Sequence, residues 1–173
     1  MTFIGSWLTR DFQLSISGVG TAMIAIGAGN LIGTLFGSKF IAKWGFPKSL
    51  MVGILSLCII YLATPFSISF YMAVILLTLA FVVNGFIFPI FMTTLQSTTT
   101  TTRSTISSLS NAAMYTGTTI GGIFGGILFT RFAGFFGIAF FTITTYLIVL
   151  LIYKKSGIFD IKKAMKVTKN KGE

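Results

Sequence analysis

Five stretches of 16 to 23 residues, at positions 17–37, 49–64, 70–92, 109–129 and 132–153, contain no charged side chain. A bilayer core about 30 Å thick is crossed by roughly 20 helical residues, so each stretch is a candidate span, 49–64 being the shortest. Hydrocarbon offers no partner to backbone N–H and C=O groups, and the strict alternation of a barrel strand is absent, so each span is read as an α-helix. Composition agrees: 54% of the 173 residues are hydrophobic, 9% are charged and the mean hydropathy is +0.91, whereas a soluble domain carries about 25% charged residues. The expected fold is therefore an all-α integral membrane bundle over 1–153, five transmembrane helices plus a partial N-terminal helix, followed by a basic tail at 154–173.

Much chemistry is excluded at once. There is no histidine, one cysteine (Cys58, inside an apolar run) and three acidic residues, so material for a metal site, a disulfide framework or acid–base catalysis is lacking. No catalytic residue, metal or cofactor is expected, and the chain is not read as an enzyme. The net charge of +10 does not point to nucleic acid, because seven of the thirteen basic residues fall from Lys154 onward and the others sit between apolar runs. Placing the 38–48 connection, the 93–108 connection and the tail on one side puts eleven of the thirteen there, against Arg10 and Arg131 opposite. Positive charge is retained on the cytoplasmic side, so a multi-pass protein of the cell membrane with a cytoplasmic C-terminus is expected.

Residues 1–8 are also apolar, but eight helical residues rise only about 12 Å, and the charges Arg10 and Asp11 follow the apolar run where a signal peptide needs a basic leader before it. The segment reads as the end of a span whose beginning is missing, with an interfacial N-terminal segment as the alternative. It falls at the outer face, where a sixth helix would finish crossing.

Glycine gives the strongest internal pattern: eleven of the nineteen lie in two spans, six in 17–37 and five in 109–129. In the first, Gly18, Ala22, Ala25, Gly29, Gly33 and Gly37 follow steps of three and four and so share one face; in the other, Ser110, Ala113, Gly117, Gly121 and Gly125 do the same. Such stripes let helix backbones approach closely in lipid. Each needs a helix to pack against, either inside this chain or outside it. Counting the N-terminal segment, the stripes occupy the middle helix of each of two triplets with opposite direction, which is the pattern of inverted repeats in secondary transporters.

Three segments carry a resemblance to a known family. The 38–48 stretch keeps a base (Lys43), a glycine (Gly45) and a final base (Lys48), with Ser38 and Ala42 where the family loop has a glycine and an acid. Arg103 is followed by Ser107, Asn111, Tyr115 and the glycines of 117–126, and Phe3, Gly5, Trp7 and Leu8 precede Phe12, Leu14, Ser15 and Gly18. Over essentially its whole length the chain resembles the C-terminal half of a major facilitator superfamily transporter, from the end of helix seven through helix twelve, and particularly the bacterial drug-efflux branch. The resemblance implies that spans 17–37 and 109–129 face a missing N-terminal half and slide against it during alternating access, with Gly29, Gly33, Gly37, Gly117, Gly121 and Gly125 as the gating stripes.

No carboxylate lies within the five spans. Intramembrane acids are the usual proton carriers, so coupling is expected elsewhere and this chain is expected to supply a cavity wall. Leu77, Phe81, Asn84 and Phe88 fall on one helical face, and apolar or aromatic walls with few polar groups suit small amphiphilic, drug-like ligands. The resemblance implies that span 70–92, the family's helix ten, borders the central cavity, which makes Phe81, Asn84 and Phe88 substrate-cavity candidates, with Asn111 and Tyr115, one turn apart, and Asn30 behind them; the alternative is that the phenylalanines face lipid and Asn84 bonds a neighbouring helix. Pro89 removes a helical donor and is expected to kink its span. The five threonines at 98–102 read as a cytoplasmic loop, and the tail as an amphipathic surface helix or a solvated segment. The expected partners are the lipid bilayer, the missing half and a small-molecule substrate. The competing reading is a self-contained membrane scaffold or accessory protein that oligomerises through its glycines.

Overall fold

In the computed structural model, which describes residues 2–97, 103–132 and 134–155, the chain forms six α-helices: α1 Thr2–Phe12, α2 Ile16–Trp44, α3 Phe46–Ala63, α4 Phe70–Ser97, α5 Arg103–Arg131 and α6 Phe135–Lys155. A single 3-10 turn, Thr64–Phe66, links α3 to α4, and no strand occurs among the described residues. Five helices are long and apolar enough to cross a membrane, over Ile16–Gly37, Lys48–Phe66, Phe70–Pro89, Ser104–Arg131 and Phe135–Lys155. The chain is an all-α, multi-pass membrane bundle.

Several helices run past the uncharged stretches that define them. α2 continues through Lys39 and Lys43 to Trp44, because a charge ends the apolar stretch without breaking backbone hydrogen bonding. The expected loop at 38–48 therefore shrinks to Gly45. Its φ of 76° is a left-handed conformation that costs a residue with a Cβ, and Pro47 follows in the first turn of α3, where no N–H is needed. The threonine run at 98–102 and the tail from 156 lie outside the described residues.

α1 is short but not peripheral. Ile4, Trp7 and Leu8 are buried with Ala22 and Ile26 of α2, Ala73, Leu77 and Phe81 of α4 and Phe135 of α6. Trp7 stacks on Phe135 at 4.2 Å between ring centroids and meets Phe12 edge-on at 5.4 Å, while Phe3 stacks on Phe129 and the Arg10 guanidinium lies 5.9 Å over the same ring. The segment that is too short to cross thus plugs one end of the bundle.

The tightest seam joins α2 to α4, which run parallel. A methyl group at Gly29 would fall 2.8 Å from the Thr78 carbonyl oxygen, one at Gly33 would collide with the Val82 backbone, and one at Gly37 would press on Phe86. From the α4 side, Gly85 answers with its own close approach to the Asn30 backbone. Dispersion between closely apposed backbones is what holds helices together in lipid, where water gives no hydrophobic drive. Gly33→Ala is expected to lower stability by about 3 kcal/mol, the upper range for overpacking, whereas Gly121→Ala, with open space around it, is expected to be neutral or stabilising by up to about 1 kcal/mol. Thermal unfolding of both variants in the same detergent micelle checks the contrast.

Candidate functional site

The structure divides the expected gating stripes. Gly29, Gly33 and Gly37 have their partner inside the chain, in α4; the open glycines of α2 are Gly20 and Gly27, which have no atom within reach of a Cβ and lie on the opposite side of the helix. On α5, Gly125 packs on the Phe3 ring of α1, while Gly117, Gly121 and Gly122 face open space. The two seams correspond: each middle helix lays its glycines on the first helix of the other triplet, α2 on α4 and α5 on α1. α4 is long enough to cover the whole stripe. The described length of α1 meets only the C-terminal end of the α5 stripe, at Gly125.

The cavity candidates on α4 separate as well. Phe81 is 8% exposed and belongs to the core under α1, where it lines a small internal space of about 150 Å³ with Phe3, Ile4, Tyr61, Phe135, Ile138 and Thr142. Leu77 is fully buried beside it, Asn84 is half-buried and Phe88 is exposed. The common helical face is therefore divided: Leu77 and Phe81 pack in the core with α1 and α6, and Asn84 and Phe88 lie outside it. Asn111 and Tyr115, by contrast, stay together on α5 within a stretch, 111–120, where every residue is exposed, Tyr115 to 70%.

That stretch is chemically unusual. α5 has the lowest hydropathy of the five spans and the smallest buried share. The hydroxyls of Ser110, Thr116, Thr118 and Thr119 each donate to the carbonyl four residues back, at 2.7 to 3.0 Å, which removes them as unmet donors. Asn111 has no such local partner among the described residues. An amide left in hydrocarbon without one is costly, so this face is built for water, a ligand or another helix.

The α2–α4 seam holds a polar device that sequence reasoning left unread. Pro89 has no N–H, so the Gly85 carbonyl four residues earlier loses its helical donor. Thr34 of α2 supplies a replacement: its Oγ1 lies 3.2 Å from the Gly85 oxygen and 3.0 Å from the Asn30 oxygen, and its proton is shared between them. The Asn30 side-chain amide makes a long 3.5 Å bond to the Phe81 carbonyl, so Asn30 acts between helices. The glycine–proline spacing announces the orphaned carbonyl, but which hydroxyl answers it depends on the register of α2 against α4. Lys43 lies in the last turn of α2, Gly45 makes the turn and Lys48 is exposed in the first turn of α3; the Lys43 side chain lies outside what is described. Among the described residues no cluster of His, Cys, Asp or Glu is arranged to hold a metal.

Thr34→Val is expected to cost about 1–3 kcal/mol by leaving a buried carbonyl unpaired. Pro89→Ala restores the missing N–H, so Thr34→Val should cost at least about 0.5 kcal/mol less in that background. A double-mutant cycle by thermal unfolding measures the difference, and equal costs in both backgrounds contradict the pairing.

The family model described as Major Facilitator Superfamily matches residues 1–169. Among curated proteins, the chain is 37% identical over 153 residues to "Uncharacterized MFS-type transporter YceJ" of Bacillus subtilis (strain 168). The match covers 88% of this chain and 39% of that relative, so the chain spans about two-fifths of the relative's length. No solved structure matches.

Proposed function

The chain belongs to the major facilitator superfamily, which points to membrane transport, and we propose that it forms the C-terminal six-helix half of a secondary transporter exporting small amphiphilic or drug-like molecules by alternating access. The observation that carries this reading is the α5 face at 111–120: the least apolar span is the least covered one. In such a half the missing groups are supplied from two directions. An upstream continuation of α1, parallel to α5, would lie over Gly121 and Gly117 as α4 lies over Gly33 and Gly29. An N-terminal half would then meet the remaining open faces of α5 and of α2 at Gly20 and Gly27. These two helices are the middle members of the inverted triplets found within each half of such transporters.

In this arrangement Asn111 and Tyr115, with Asn84 and Phe88 on α4, contribute polar anchors and aromatic surface to a cavity between the halves, and Phe81 supports that wall from the core. With no carboxylate in the spans, any ion coupling in this reading would fall to the other half. The eleven-to-two division of basic residues supports a cytoplasmic position for the Lys39 to Lys48 turn and the C-terminus.

Two measurements test the proposal. With Cys58 replaced by Ser, a cysteine introduced at Gly121 should react with a membrane-permeant maleimide in the chain alone, and react at least about tenfold more slowly, equivalent to about 1.4 kcal/mol of protection, when the N-terminal portion of the Bacillus subtilis relative is co-expressed. Dye efflux from cells should require both pieces. Efflux by the chain alone, or labelling indifferent to the second piece together with self-association of the chain, refutes the half-transporter reading, the second result in favour of an oligomeric scaffold.

A further inference from the structure

A second recess lies on another side of α2 from Gly20 and Gly27. It is a cleft of about 390 Å³ between α2, α3 and α4, with Ile32 and Phe36 on one wall, Ser49, Val52 and Ser56 on the other, and Val82 at its floor. Its rim is exposed at Phe36, Trp44 and Val52. From Ser49 to Ser56 the cleft follows α3 for about 10 Å, from the end of the span inward. Its wall is apolar except for two serines, which suits a hydrocarbon chain and not a polar solute.

Three independent features at the mouth specify what the chain must carry. Ser49 is 1% exposed and its hydroxyl has no hydrogen-bond partner, an arrangement that costs about 1–3 kcal/mol unless something accepts its proton. Lys39 stands over the Phe36 ring at 5.5 Å, which fixes a cation at the rim. Lys48 is exposed in the first turn of α3, whose N-terminus has no side-chain cap, so its backbone N–H groups and the positive end of its dipole add to the lysine charge. Acceptor oxygens and negative charge at the surface, joined to an apolar chain directed inward, describe an anionic phospholipid.

We propose that this cleft is a binding site for an anionic phospholipid, with one acyl chain between α2 and α3, an ester carbonyl accepting from Ser49 after rotation of its hydroxyl into the cleft, and the headgroup phosphate held by Lys39, Lys48 and the start of α3. The site requires only that the bundle span a bilayer. It stands or falls separately from the proposed transport direction and from the proposed N-terminal half.

Trp44 at the rim supplies the probe, since the chain has only two tryptophans and Trp7 is buried in the α1 plug. The protein, as wild type and with Trp7→Phe, is reconstituted into phosphatidylcholine vesicles containing an equal minor fraction of brominated phosphatidylglycerol or brominated phosphatidylcholine. Brominated phosphatidylglycerol should quench Trp44 at the lower mole fraction. Lys39→Gln and Lys48→Gln, both at exposed positions, should each reduce that preference about fivefold, the effect of one basic residue near an anionic surface. Ser49→Ala should weaken retention of both lipids without changing the preference, because the ester carbonyl is common to them, and Ser56→Phe should block the cleft to both. Native mass spectrometry of the same proteins, counting retained phosphatidylglycerol, gives a readout independent of fluorescence. Equal quenching by the two lipids, or a preference untouched by both lysine substitutions, overturns the proposal.

Discussion

The bundle is organised by the close parallel approach of α2 and α4. Three glycines on one helix and one on the other bring the two backbones to a separation at which a single added methyl group collides with main-chain atoms. In lipid, where apolar side chains gain nothing by leaving the solvent, shape is what distinguishes one helix pair from another. The rest follows from that pair. α3 lies against α4, α6 against α3, and α1 closes the end at which Trp7, Phe12, Phe70 and Phe135 gather.

The seam also explains how Pro89 is accommodated. A proline within a span is tolerated where a neighbouring helix satisfies the backbone group it frees, and the donor must then come within hydrogen-bond distance of one particular carbonyl. Gly85 provides both halves of the solution. It is the residue whose carbonyl Pro89 orphans, and having no side chain it lets α2 come near enough for Thr34 to reach that oxygen. A larger residue at this position would separate the donor from its acceptor, so close packing and polar satisfaction are one constraint here.

What could be read without coordinates divides along the same physical line. Span number, helical type and the glycine faces on α2 and α5 were legible, because charge spacing and helical periodicity are properties of single segments. Which partner fills a stripe is a property of pairs, and there the two stripes, alike in sequence, diverge: Gly33 is occupied by Val82, and Gly121 is open. The face of Leu77, Phe81, Asn84 and Phe88 failed as one wall for a related reason. Periodicity gives the direction around a helix axis but not which neighbours pack at each level, and Leu77 and Phe81 lie in the core with α1 and α6 while Asn84 and Phe88 do not. The Ser49 cleft left no periodic trace at all, since its three walls come from three helices.

The polar pattern of α5 bears on how a surface of this kind moves between environments. Thr116, Thr118 and Thr119 bond to their own helix, so their hydroxyls cost little whether they face lipid, water or another helix, at the price of a slight local bend. Asn111 and Tyr115 are different, since neither makes such a bond among the described residues, so the amide and the phenol depend on what stands opposite. A helix bearing mostly self-satisfied hydroxyls and open glycines can change neighbours without a large energetic penalty. Two groups that do need partners, one turn apart on it, make the change of neighbour felt at one place. On α5 it is therefore at Asn111 and Tyr115, exposed and one turn apart, rather than at the glycines or the self-bonded threonines, that the nature of the surroundings carries the larger energetic consequence.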